Sequence, residues 1–227
     1  MPKFIPILIF TLSVLSLQAQ VSKNERDALL DLYYSTNGAE WIVPWKLNTP
    51  VASWYGVAVK DNKVVGLKLL KNNLNGTIPS SIEELEHLKS LNLTFNNIKG
   101  EIPTTITELR ELESLEMSMN SISGELPRDI GNLNKLKILS LFNNKIKGDI
   151  PRSIGELKDL NLLNLSSNEF IGDIPNEIGN LTKLVSLGLF DNKLIGFIPN
   201  EIGKMNKLRE LVPANNKFIG SIPQEID

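Results

Sequence analysis

The chain has 227 residues, 41% of them hydrophobic and 22% charged, so it can bury the core of one extended domain. Its 24 basic and 26 acidic residues give a formal net charge of -2, and no basic run is interleaved with aromatic residues, which argues against a nucleic-acid partner. The chain has no cysteine, which excludes thiolate catalysis, disulfides and cysteine metal sites.

The first residues have the pattern of a secretory signal peptide. Lys3 gives a positive start, an apolar run extends from Phe4 to Leu17, and Ala19 supplies a small residue before Gln20. A membrane anchor needs about 20 apolar residues, and this run is shorter. We therefore predict that residues 1–19 are cleaved, that the mature chain has no membrane span, and that it is secreted or lies at the cell surface.

Residues 20–63 have the features of an N-terminal cap. Ser22 and Glu25 have the spacing of a capping box, and a helix is predicted to follow and to stop near Asn37-Gly38. The apolar face of that helix is formed by Ala28, Leu29, Leu32 and Tyr33. A hairpin is predicted around Lys60–Lys63. We interpret Trp41, Trp45 and Trp54 as packing residues of the cap, although tryptophans also bind sugars.

Residues 64–227 form a repeat array with a period of 24 residues. The repeat reads L-x-x-L-x-L-x-x-N-x-L-x-G-x-I-P-x-x-I-x-x-L-x-x, and the seventh copy is incomplete. The repeats start at Val64, Leu88, Leu112, Leu136, Leu160, Leu184 and Leu208. The alternating leucines have the period of a short strand with one buried face, so the strands are predicted to stack in parallel. The asparagine of each repeat is predicted to satisfy backbone groups at the turn after the strand.

This pattern resembles the plant-type class of leucine-rich repeats, which occurs in receptor ectodomains and in secreted bacterial proteins. The segment from Glu25 to Val57, with its W-x-G-V element at Trp54, resembles the N-terminal cap of such proteins. The resemblance implies an α/β repeat solenoid: a curved stack with a parallel sheet on the concave face, preceded by a helix-plus-hairpin cap. Plant members typically bracket their arrays with cysteine pairs, so the lack of cysteine favours a bacterial exported protein.

Pro213 marks the last strand. It takes the place of a leucine or methionine that occupies the sixth position of the other repeats, and a proline removes a backbone donor, as is usual at the edge of a sheet. We therefore predict that the seventh repeat supplies the terminal strand. A longer chain with further repeats is the alternative.

The sequence offers no convincing catalytic or metal site, and no cofactor is predicted. The acids predicted to face the concave surface lie in different repeats, and strands about 4.8 Å apart place Glu116 and Asp191 roughly 14 Å from each other. That separation is too large for a glycosidase pair. The single histidine, His87, lies in the connection between the first two repeats. We therefore predict a non-enzymatic protein.

The concave surface is predicted to carry an apolar series. The third, fifth, seventh and eighth positions of each repeat alternate with the buried leucines and so face outwards. The large apolar residues at these positions are predicted to bind a partner: Phe95, Met119, Phe142, Phe190, Ile138 and Leu162. Exposed apolar groups on a rigid platform are typical of a contact surface, although scattered ones are normal.

The leading functional hypothesis is an exported recognition module that binds a protein or a glycan and is monomeric without its ligand. A first alternative is a structural or surface-attached spacer that self-associates. A second is the ligand-sensing part of a longer receptor, such as a receptor kinase.

Overall fold

A computed structural model describes residues 20–220. The predicted signal peptide therefore lies outside the described residues. The end of the seventh repeat also lies outside them. The predicted domain boundaries therefore stay a prediction. Within the described residues, the predicted α/β repeat solenoid with its parallel sheet and helix-plus-hairpin cap is confirmed.

The cap begins with helix α1 (Lys23–Ser35), which starts at the predicted capping box. The Ser22 side chain accepts a hydrogen bond from the backbone N–H of Glu25, and the Glu25 carboxylate accepts one from the N–H of Ser22. The other oxygen of this buried carboxylate accepts a hydrogen bond from the Val64 N–H at 2.9 Å. One side chain therefore fixes both the helix start and the entry to the first repeat.

The three tryptophans pack beneath α1, as predicted. Trp41, Trp45 and Trp54 are all buried, and the Trp45 ring stacks on the Trp54 ring with centroids 4.7 Å apart. Each indole N–H finds a backbone carbonyl, on Thr36, Tyr55 and Thr49 respectively. Buried aromatic rings with satisfied N–H groups stabilise the cap and are not free to bind a sugar.

Within residues 20–220, the main sheet has eight strands in the order β1-β2-β4-β6-β8-β10-β12-β13. The cap hairpin β1–β2 is antiparallel, and every later pair in this sheet is parallel and in register at the 24-residue period. The bounds are β1 Val57–Lys60, β2 Lys63–Lys68, β4 Ser90–Asn92, β6 Ser114–Glu116, β8 Ile138–Ser140, β10 Leu162–Asn164, β12 Ser186–Gly188 and β13 Glu210–Val212.

A second set of short strands runs along the side of the stack. They are β3 (Asn75–Gly76), β5 (Asn97–Glu101) and β7 (Ser121–Ser123), which pair with one another, and β9 (Lys147–Asp149) and β11 (Glu169–Ile171), which pair separately. A glycine with positive φ lies in or directly after each of these strands. Gly172 has φ +70°, and a Cβ there would lie 2.1 Å from the Asp149 carboxylate oxygen of the preceding repeat.

The convex side consists of short 3₁₀ turns, each three to five residues long. Each follows a proline in extended conformation, except the third, which follows Asp129. They span Ser80–Glu84, Thr104–Glu108, Ile130–Asn132, Arg152–Glu156, Asn176–Asn180 and Asn200–Lys204. The cap contains two more, at Gly38–Glu40 and Val51–Ser53. The leucines and isoleucines of the repeat fill the space between sheet and turns and form one continuous core.

The repeated asparagines form a hydrogen-bonded asparagine ladder, which comprises Asn72, Asn96, Asn120, Asn144, Asn168, Asn192 and Asn216. In Asn144, the amide N–H group donates to the carbonyls of Met117 and Leu141, both at 3.0 Å, and the amide oxygen accepts from the Ile122 N–H at 3.0 Å. As predicted, these amides satisfy backbone groups at the turns. Asn96 and the later members also join their own turn to the preceding repeat, whereas Asn72 accepts from the Val43 N–H of the cap.

Pro213 follows β13 at the end of the main sheet. The residue at this position in every earlier repeat donates its N–H to the next repeat; Leu189, for example, donates to the Val212 carbonyl at 3.0 Å. Proline has no N–H to offer a further strand. Near it Leu208, Leu211 and Phe218 are only partly buried, whereas Leu184, Leu187 and Leu194 in the preceding repeat are fully buried.

We expect Pro213→Leu to increase self-association, because it restores both a donor and an apolar side chain at this edge. Sedimentation velocity over a concentration series measures the effect. Pro213→Ala is the matched control, since it restores the donor alone. A folded Pro213→Leu variant that stays strictly monomeric would show that Pro213 does not protect the edge.

Candidate functional site

The concave face is the outer surface of the main sheet, and the structure places all six predicted binding residues on its strands or in the turns that follow. Ile138 on β8 pairs directly with Leu162 on β10. Phe95 and Met119 lie in left-handed turns after adjacent strands, with φ of 57° and 58°. The Met119 N–H donates to the Phe142 carbonyl at 2.8 Å, so these two residues lie beside each other on neighbouring repeats.

Phe142 and Phe190 lie two repeats apart. They line a common depression of about 250 Å³ whose floor includes Ser166 and Gly188. Both rings are half-buried, whereas Phe95 is 52% exposed. The sequence predicted that all six side chains are exposed, but only Phe95 is. The other five side chains are partly covered by their neighbours.

A second apolar surface was missed by the sequence reasoning. We call it the lateral patch, and it consists of Ile171, Ile195, Phe197 and Ile219, which are 47%, 47%, 64% and 56% exposed. These residues flank the repeat glycines on the side of the stack. The sequence did contain a signal for its three isoleucines. The position before the repeat glycine is apolar in the last three repeats and polar in the earlier ones.

The acidic groups with shifted pKa values lie away from the concave face. The Lys137 ammonium donates to Glu113 at 2.6 Å and holds the pKa of that carboxyl below its usual range. The same pairing recurs one repeat apart in Lys135–Glu111, Lys183–Asp159 and Lys193–Glu169, and it lowers the pKa of each acid. Exposed ion pairs of this kind contribute little stability, and none is arranged for proton transfer.

No further chemistry is assembled in residues 20–220. His87 is exposed on the convex side, and no group of three or more His, Cys, Asp or Glu in this part of the chain is placed to hold a metal. Nor does any described helix have the length and apolar content to cross a membrane.

Comparison with known proteins identifies the repeat. A family model described as a leucine-rich repeat region matches residues 121–219, and a second leucine-rich-repeat model matches residues 84–102. The crystal structure of a pollen receptor kinase 3 is 30% identical over 85% of this chain and 95% of its own, with a TM-score of 0.75. The chain belongs to the leucine-rich-repeat family. No curated protein matches it.

Two longer leucine-rich-repeat structures are also similar to this chain. One is PEPR1 in complex with AtPEP1, at 30% identity over 90% of this chain with a TM-score of 0.82. The other is the Arabidopsis receptor kinase HAESA in complex with the peptide hormone IDA and the co-receptor SERK1, at 29% identity over 90% with a TM-score of 0.80. This chain covers 30% of the first and 35% of the second.

Proposed function

We propose that this leucine-rich-repeat chain is an exported, non-enzymatic recognition module that binds a protein or peptide ligand through its concave face. The depression between Phe142 and Phe190 carries the proposal, because it joins apolar walls to polar groups on a rigid sheet. The peptide-bound receptors to which the chain is similar favour a peptide or protein over the glycan that the sequence left open.

Truncating the aromatic walls tests the proposal. We expect Phe142→Ala and Phe190→Ala each to weaken partner binding at least tenfold, since aromatic residues at the centre of an interface commonly cost about 2 kcal/mol or more when truncated. The partner is captured on the immobilised mature chain from the extracellular medium of the source organism, identified by mass spectrometry, and titrated against each variant by biolayer interferometry.

Ile195→Ala on the lateral patch is the matched control. Because the phenylalanines are half-buried, we also expect each truncation to cost about 1–2 kcal/mol of stability, below the loss for a fully buried aromatic. Circular dichroism at the assay temperature confirms that the variants are folded. Wild-type affinity in both phenylalanine variants would remove the concave depression from the interface.

Export is part of the proposal, and it depends on the predicted cleavage after Ala19. We expect the N-terminal peptide of the exported protein to begin at or near Gln20, which mass spectrometry of the mature product measures. Recovery of peptides that retain Lys3 would contradict cleavage.

Self-association is the second candidate function. It is favoured by the lateral patch together with the partly buried Leu208, Leu211 and Phe218 beside β13. Sedimentation of the wild-type chain separates the two, because a spacer that self-associates forms dimers as concentration rises while a recognition module stays monomeric without ligand.

A further inference from the structure

The depression on the concave face exists because one strand position lacks a side chain. The fifth position of the repeats carries Lys68, Asn92, Glu116, Ser140, Asn164, Gly188 and Val212. Gly188 is the last residue of β12 and pairs in regular register with Asn164 and Val212. No left-handed backbone requires glycine there, so its effect is on the shape of the surface.

Two polar groups converge on the space that Gly188 leaves. A Cβ built at Gly188 would lie 2.7 Å from the Asn164 side-chain oxygen and 2.8 Å from the Ser166 hydroxyl. The Asn164 oxygen already accepts a hydrogen bond from the Ser166 N–H at 3.1 Å, which holds the amide in place. The floor is therefore polar and fixed, and any side chain at position 188 would fill it.

The walls and one rim complete the depression. Phe142 and Phe190 stand two strands apart, about 10 Å along the sheet, which leaves room for one inserted side chain. At the rim, the Glu210 carboxylate accepts a hydrogen bond from the Ser186 hydroxyl at 2.7 Å. This bond orients the carboxylate while one oxygen keeps its capacity to accept from a ligand.

The charge on the concave face points to a basic ligand group. From the third repeat onwards, the outward positions of the described strands and turns hold three acids, Glu116, Asp191 and Glu210, and no lysine or arginine. The cations of this face, Lys68 and Lys71, lie in the first repeat. Arg209 occupies the edge position beside the sheet. The depression thus lies at the negative end of the surface.

We propose that this depression binds a basic side chain, arginine or lysine, of an extended peptide ligand. The aliphatic stem and the cation pack between the faces of Phe142 and Phe190, and the charged head donates to Glu210. This assignment rests on the proposed recognition function and names its ligand class. A neutral sugar would leave the carboxylates without a charged partner, so the observations favour the peptide.

Nuclear magnetic resonance with a defined probe tests the assignment. The ¹⁵N-labelled mature chain is titrated with acetyl-Gly-Arg-Gly-amide, with the glutamine analogue as the neutral probe and methyl glucoside as the glycan probe. We expect the arginine peptide to shift the backbone amide signals of Ser166 and Gly188, and Glu210→Gln to weaken its binding at least tenfold. Gly188→Asn, which introduces the residue found at Asn92 and Asn164, should abolish the shifts.

Ser140→Asn is the matched control. It introduces the same side chain at the fifth position of the repeat, two repeats before Gly188, and should leave the titration unchanged. Equal shifts from the glutamine probe, an unaltered titration in Glu210→Gln, or no shift from the arginine peptide would overturn the assignment. Stronger shifts from methyl glucoside would instead assign the depression to a glycan. A chain that still captures a partner through Phe142 but ignores the arginine probe would keep the recognition function and lose only this subsite.

Discussion

Replacing Asn144 with alanine is expected to lower the free energy of unfolding by about 3–5 kcal/mol. The substitution leaves the buried Ile122 N–H without a partner, which costs about 1–3 kcal/mol. It also removes one of the two amide donors at each carbonyl of Met117 and Leu141, which keep Asn120 and Asn168 respectively. Each of these lost hydrogen bonds costs about 0.5–1.5 kcal/mol. Because neighbouring repeats stabilise one another, a break at the middle of the array also weakens the contact between its two halves.

Asn72→Ala is the matched control for this prediction. Asn72 occupies the same repeat position, but its amide oxygen accepts only from the Val43 N–H, and its buried amide nitrogen has no partner among the described residues. We therefore expect a loss of about 1–2 kcal/mol for Asn72→Ala in urea unfolding. Equal losses in the two variants would show that the asparagine ladder does not act through these bonds.

Leu141→Ala is expected to cost about 2–5 kcal/mol, because it removes a fully buried side chain and leaves a cavity beside the main sheet. Leu70→Ala provides the comparison, since Leu70 occupies the next position of the first repeat and is 48% exposed. Its loss should stay within about 0.5 kcal/mol. Urea midpoints of both variants give the difference, and a cost well under 1 kcal/mol for Leu141→Ala would mean that the repeat register is wrong.

The parts of the fold that repeat were predictable from the sequence. A buried leucine such as Leu141 and a turn asparagine such as Asn144 recur every 24 residues, so each position is predicted several times over by the same physical requirement. The capping box at Ser22 and Glu25 was predictable because it depends on residues three apart. In each case the determining interaction is local, or it is repeated identically between neighbours.

The binding surface was less predictable, because it depends on residues that depart from the repeat. The half-burial of Phe142 and Phe190 is set by the residues of adjacent repeats. The depression at Gly188 appears only when Asn164 and Ser166 are brought against it from the neighbouring strand. Phe197 of the lateral patch lies at a position that the repeat pattern leaves free, so no periodic signal marked it.

We propose that recognition occurs on the concave face. The most direct measurement compares the dissociation constant of the captured partner for two double variants, Phe142→Ala/Phe190→Ala on the concave face and Ile195→Ser/Phe197→Ser on the lateral patch. We predict that the concave variant binds at least a hundredfold more weakly than the wild type, while the lateral variant keeps the wild-type dissociation constant. Loss of binding in the lateral variant, with full binding in a folded concave variant, would contradict the claim.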